Sequence, residues 1–192
     1  MTGAMNGRFA STTSRTTRNL FIAVGFQLVW LSAAFGAAHG SALIGTLTAL
    51  VFIAAVVASS TSATRVLAIS TVSAMTGLVV ETGLLAAGLV HYEASWPSHA
   101  VAPVWIVALW FGFGATISPL VALTGRDRWI RLVMLGALAG PAAYWAGARI
   151  SALQVEDPGW PAYLTIAIIW GIVLPVLAAL DGRLRRRQAA PT

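Results

Sequence analysis

The sequence predicts an all-α polytopic membrane protein, a compact bundle of six transmembrane helices with both termini cytoplasmic. Three observations carry this expectation. The 192 residues are 58% hydrophobic and 9% charged, with a mean hydropathy of +0.80, against the roughly 25% charged content of soluble domains. Six apolar runs, separated by short polar turns, come close to the roughly 20 residues that cross a hydrocarbon core. The arginines then fall almost entirely on one side of the threading that those runs define, and positive residues stay on the cytoplasmic face.

Residues 1–19 are polar and rich in Ser and Thr, and with Arg8, Arg15 and Arg18 they read as a disordered basic cytoplasmic tail. The first span covers about 20–38. Its arginine-flanked start and small-residue end also suit a secretory signal peptide, but the apolar run exceeds the roughly 7 to 15 residues of a signal core. Gln27 and Trp30 lie inside it, so it is read as a helix of the mature chain. A tight turn, His39-Gly40-Ser41, leads into a second span at 41–58, nearly all Ala, Val, Leu and Ile and expected to meet lipid. After a polar loop at 59–64, the third span, 66–90, is the longest and alone carries an ionisable side chain well inside its run, Glu81.

Residues 91–102 form a loop rich in aromatic residues and histidine. Pro103 opens the fourth span, 103–123, a favourable place because the first helical N–H has no partner there. Residues 125–128 close it, and the fifth span runs over 129–149. An acidic turn at 155–159 precedes Trp160-Pro161, which opens the sixth span, 160–180. Asp181 and Gly182 are expected to end that helix before a basic cytoplasmic tail at 183–192.

An even number of spans puts both termini on one side, which then holds eleven of the 12 basic residues, all arginines; Arg149 alone lies opposite. Tyr92, Trp96, Trp105, Trp160 and Tyr163 fall near the outer boundary and Trp129 at the inner one, as interfacial anchors do. Threading thus accounts for the pI near 11.3, and the basic residues give no sign of a nucleic-acid partner. The absence of cysteine excludes disulfides, thiolate nucleophiles and Cys-ligated metals.

The fifth span is the one around which the rest is expected to pack. Gly136 and Gly140 form a GxxxG pair, which strips bulk from one helix face so that a neighbouring backbone approaches closely. Tyr144 and Gly147 continue that face. Pro141 removes a helical hydrogen bond and is expected to kink the helix, freeing the Ala137 carbonyl toward the interior.

These pieces resemble a family of small bacterial inner-membrane proteins, domain of unknown function 2878. The matching residues are Phe26-Gln27-Leu28-Val29-Trp30, the acidic Glu81, Pro103-Val104-Trp105 with Leu109-Trp110, and Gly136-Ala137 with Gly140-Pro141, Tyr144 and Gly147. The resemblance spans roughly residues 19–180 and implies a multi-pass protein of the bacterial inner membrane, with members encoded near lipid-modifying enzymes. It implies no activity, substrate or cofactor.

Glu81 is the sharpest functional signal, because an ionised carboxylate in hydrocarbon costs at least about 2.5 kcal/mol. Counting 1.5 Å per residue, Glu81 and Tyr144 both sit roughly 21 to 23 Å above the inner ends of their helices, and Trp110 falls at the same level. Glu81 is expected to accept hydrogen bonds from Tyr144 and Trp110, within a stripe shared with Gly77 and Gly88. Arg149, about 7 Å above Tyr144, either bends toward Glu81 or snorkels outward, and snorkelling is favoured. The layer of Glu81, Tyr144, Trp110 and Arg149 is then a substrate or proton site, or a polar clasp between helices. Gln27 is expected to hydrogen-bond across helices.

Other chemistry is unsupported. His39, His91 and His99 lie at the outer boundary with Glu93, Glu156 and Asp157, but their spacing is no metal motif, and solvated loop residues are the default. There is no GxSxG, no second buried acid to pair with Glu81, no histidine at the depth of Ser73 or Ser118, and no phosphate-binding glycine fingerprint. The sequence therefore points away from an enzyme and implies no cofactor. The leading expectation is lipid or small apolar molecule binding or transport around Glu81, in contact with the bilayer. The alternatives are an accessory or assembly subunit of a lipid-modifying membrane system, with a protein partner in the membrane, and an intramembrane enzyme.

Overall fold

The computed structural model describes residues 3–124 and 128–189, with side chains from Thr17 to Gln188. Residues 125–127 of the predicted closing turn lie outside the described residues, as do the side chains of Arg8 and Arg15, while Arg128 begins α5. The described residues form six helices: α1 (Gly3–Ala38), α2 (Ala42–Ala58), α3 (Ala63–Ala86), α4 (Val104–Thr124), α5 (Arg128–Arg149) and α6 (Trp160–Ala189). Two short strands, β1 (Val90–Tyr92) and β2 (Leu153–Val155), pair antiparallel with Tyr92 opposite Leu153, an addition to the all-α expectation.

Among the described residues, four helical segments are long and apolar enough to cross a membrane: Thr17–Ala38, Ala63–Ala86, Val104–Thr124 and Trp160–Gln188. α2 is apolar but has only 17 residues. α5 has 22 residues, and its apolarity is diluted by glycines, Pro141, Tyr144 and the arginines at its ends.

Helix boundaries follow from local chemistry. The third helix stops at Ala86 rather than at 90, because Gly88 turns to φ +67°, a conformation that costs glycine little. The Leu89 N–H then reaches back to the Leu84 carbonyl (3.0 Å) and the Gly88 N–H to Leu85 (2.9 Å), a Schellman closure. Gly88 therefore ends the helix instead of joining the stripe of Gly77 and Glu81. The same pair of bonds closes α1, with Ser41 bonded to Gly36 and Gly40 to Ala37. At the other boundary, Asp181 and Gly182 do not end the sixth helix, which runs on to Ala189. An adjacent Asp and Gly inside a helix lower its propensity by only about 1 kcal/mol each at most, and Asp181 gains partners described below. The backbone of α1 is likewise helical across most of the segment expected as a tail.

The central helix is α4, not α5. It packs against α1, α2 and α3, touches α5 and α6, and is the most buried of the long helices. Its seam with α3 is held by the Ser73 hydroxyl, which donates to the Trp110 carbonyl at 2.7 Å. α5 instead pairs mainly with α6. The GxxxG face accounts for this, since a Cβ at Gly136 would lie 2.2 Å from the backbone oxygen of Trp170, so the two backbones are in contact. α5 makes few contacts with the other helices and also borders a cavity. α5 continues as helix through Pro141.

Candidate functional site

Glu81 lies one and a half turns from the end of α3 and is 2% exposed. Three side chains from three other elements converge on it. The Trp110 indole of α4 donates to Oε1 at 2.7 Å. The Tyr144 hydroxyl of α5 sits 2.6 Å from both carboxyl oxygens. The Tyr92 hydroxyl donates to Oε2 from the β1–β2 ladder. The expected contacts with Trp110 and Tyr144 are thus present, and Tyr92 completes them. Strand alternation explains Tyr92: Val90 and Tyr92 point inward and His91 outward, and the Tyr92 ring is steadied edge-on against Trp105 (6.2 Å between centroids). Tyr92, expected as an interfacial anchor, is thus buried at the end of the bundle, whereas Trp96 of the same loop is exposed.

A further indole borders this layer. Trp170 of α6 stacks on Trp110 at 4.7 Å and 25°, and its N–H is buried without an acceptor among the described residues. The stacking is allowed by Gly140, where a Cβ would lie 2.5 Å from the Trp170 ring.

Below Glu81 opens a cavity of about 530 Å³, lined by residues of α1, α4, α5, α6 and β2, and partly open to the outside. Along α4 it extends from Trp105 to Leu123, roughly 27 Å at 1.5 Å per residue. Phe26, Trp30, Phe113 and Leu120 form one wall; Gly136, Gly140 and a run of alanines on α5 form the other. Gln27 lines the groove with its side chain exposed and has no hydrogen-bond partner among the described residues, so it does not make the expected cross-helix bond. Gly147 packs on Leu153 of β2, where a Cβ would sit 3.1 Å from the side chain. Arg149 is exposed, lies over the Trp145 ring at 5.8 Å and does not line the groove. Of the four residues expected in the polar layer, Glu81, Trp110 and Tyr144 come together and Arg149 stands apart.

Residues 19–176 match the family described as "Protein of unknown function (DUF2878)". The chain belongs to that family. No curated protein and no solved structure matches it. The match covers every residue of the Glu81 layer and all of the residues lining the groove in this DUF2878 chain.

A second buried acid exists in this DUF2878 chain, but at the opposite end of α3, where it does not pair with Glu81. Asp181 is 1% exposed. It accepts from Ser118 Oγ of α4 at 2.6 Å and lies 3.6 Å from Arg65 of α3 and 3.4 Å from Arg185. Arg65 and Glu81 are roughly 24 Å apart along the helix, so the two acids form separate sites. Among the described residues no three of His, Asp and Glu come close enough to hold a metal; His91 lies 3.9 Å from Glu156, both largely exposed.

Proposed function

We propose that this chain binds a lipid or another small apolar molecule in the groove beneath Glu81, as a membrane binding protein or transporter. The observation that carries the reading is the groove itself: about 530 Å³, nearly all apolar, with one buried carboxyl layer at its end. Its volume falls within the roughly 300 to 1,000 Å³ typical of small-molecule sites, which likewise combine apolar walls with a few placed polar groups. The exposed apolar residues at its margin, Leu123 and Leu135, suit an occupant that arrives from the bilayer rather than from water.

The proposal includes the threading: six helices across a bacterial inner membrane, both termini cytoplasmic, with the β1–β2 ladder on the outer side. The four long apolar helices and the segregation of the arginines support it.

One observation favours a second reading, an accessory or assembly subunit of a lipid-modifying membrane system. The chain's own donors already fill Glu81, as a purely structural clasp requires. Purification of the full chain in mild detergent, followed by native mass spectrometry, separates the two. Binding predicts a retained lipid-like mass in the wild type that disappears in Ala139→Phe, which fills the groove from an exposed wall position. An empty groove in both proteins, with a co-purifying protein partner, supports the accessory role and overturns the first reading.

A further inference from the structure

The groove also restricts what its occupant carries at the polar end. Among the described residues lining it there is no Arg, Lys or His, while Glu81 supplies an acid. An anionic headgroup would enter a low-dielectric site with no counter-charge, which is strongly unfavourable. Hydrogen bonding cannot compensate, because the three donors of that end are already committed: Trp110, Tyr144 and Tyr92 all give their protons to Glu81. Trp105 is committed as well, donating to the Glu93 carbonyl at 3.0 Å. Arg149, the basic residue nearest in sequence, is turned outward onto Trp145.

What remains uncommitted is neutral. Gln27 offers an amide donor and acceptor from α1, exposed to the groove. The Trp170 indole N–H, at the edge of the Glu81 layer, is directed toward the Tyr144 hydroxyl but makes no hydrogen bond to an acceptor among the described residues. Both suit an uncharged oxygen.

We infer that the groove selects an uncharged lipid, one whose polar atoms are a hydroxyl or carbonyl, and rejects lipids ending in phosphate, sulfate or another anion. This deepens the binding function proposed above and rests on it. Selection works by the absence of a cation among the described lining residues together with the prior commitment of the donors, so introducing a cation reverses it.

The test uses three probes with one tail and different heads: oleyl alcohol, oleyl sulfate and oleyl phosphate. Each is incubated with the full-length chain in detergent, and the retained probe is read by native mass spectrometry. The wild type retains the alcohol at least about ten-fold more than either anion. Ala139→Phe loses the alcohol. Gln27→Arg, at an exposed wall position, raises retention of the anions by a similar factor. If the wild type holds the anions as well as the alcohol, and Ala139→Phe abolishes both, the groove binds lipid but the charge selection is wrong. If wild type and Ala139→Phe ignore all three alike, the binding function itself is wrong. Should Gln27→Arg fail to accumulate, the wild-type ratio of alcohol to anions decides the selection alone.

Discussion

Replacing Glu81 by Leu and by Gln gives two different losses of stability, and their sizes follow from the donors around the carboxyl. Leucine leaves Trp110, Tyr144 and Tyr92 without their acceptor. The two hydroxyls both reach Oε2 and can then bond one another, so about two donors remain unsatisfied, at about 1 to 3 kcal/mol each in a water-based accounting. Helices already within a membrane recover part of that when unfolded, because stranded groups find other partners. The expected cost of Glu81→Leu is therefore about 2 to 4 kcal/mol. Glutamine keeps a carbonyl for the Trp110 N–H, which can only donate, and turns its NH₂ toward the two tyrosines, whose hydroxyls accept. Its cost is about 1 to 2 kcal/mol. Reversible denaturation of the purified chain in mixed micelles measures both, and a cycle with Trp110→Phe should return a coupling of about 1 kcal/mol or more. Glu81→Leu within about 0.5 kcal/mol of the wild type, the range of an ordinary surface change, would refute the idea that this layer binds the helices together.

Four further outcomes follow from the same geometry. Gly136→Ala places a Cβ 2.2 Å from the Trp170 carbonyl oxygen, which is backbone and cannot yield; it should cost about 3 kcal/mol or more and lower the thermal midpoint in detergent. Gly182→Ala meets nothing within 4 Å inside α6, so it should stabilise by a few tenths to about 1 kcal/mol in the same melt. Asp181→Ala strands Arg65 and Ser118 at the opposite end of the bundle; about 3 kcal/mol is expected, with faster hydrogen exchange at the C-terminal end of α6. Tyr92→Phe frees the ladder from the carboxyl at about 1 kcal/mol, visible as lost exchange protection over β1 and β2 with the helices unchanged.

Residue spacing alone located Glu81, Trp110 and Tyr144 in one layer, because a constant rise per residue converts position in a helix into height. It could not locate Tyr92, which is not on a helix: a short antiparallel pairing with a distant segment brings it down, and three residues of alternation are too few to announce a strand. Trp170 was legible as apolar and no more, since nothing in α6 by itself shows that the GxxxG face of α5 will seat against it. That face is visible in the sequence but its partner is not, and so the spacing points to α5 as central when the bulkier α4 is. Asp181 was misread for a related reason. Asp followed by Gly commonly ends a helix, yet the fate of the pair is decided by Arg65, more than a hundred positions earlier in the chain. Arg149 followed the general habit of long cations near helix ends and turned to an aromatic ring.

The near-parallel indoles of Trp110 and Trp170 join α4 to α6 beside the carboxyl layer, with 4.7 Å between ring centres. Two chromophores held that close share their electronic excitation, so the pair constitutes a built-in optical gauge whose circular dichroism in the near ultraviolet depends on their mutual distance and tilt. Any molecule that wedges the groove apart at this level, and any step that swings α5 and α6 away from the remaining helices, would register there without an added label.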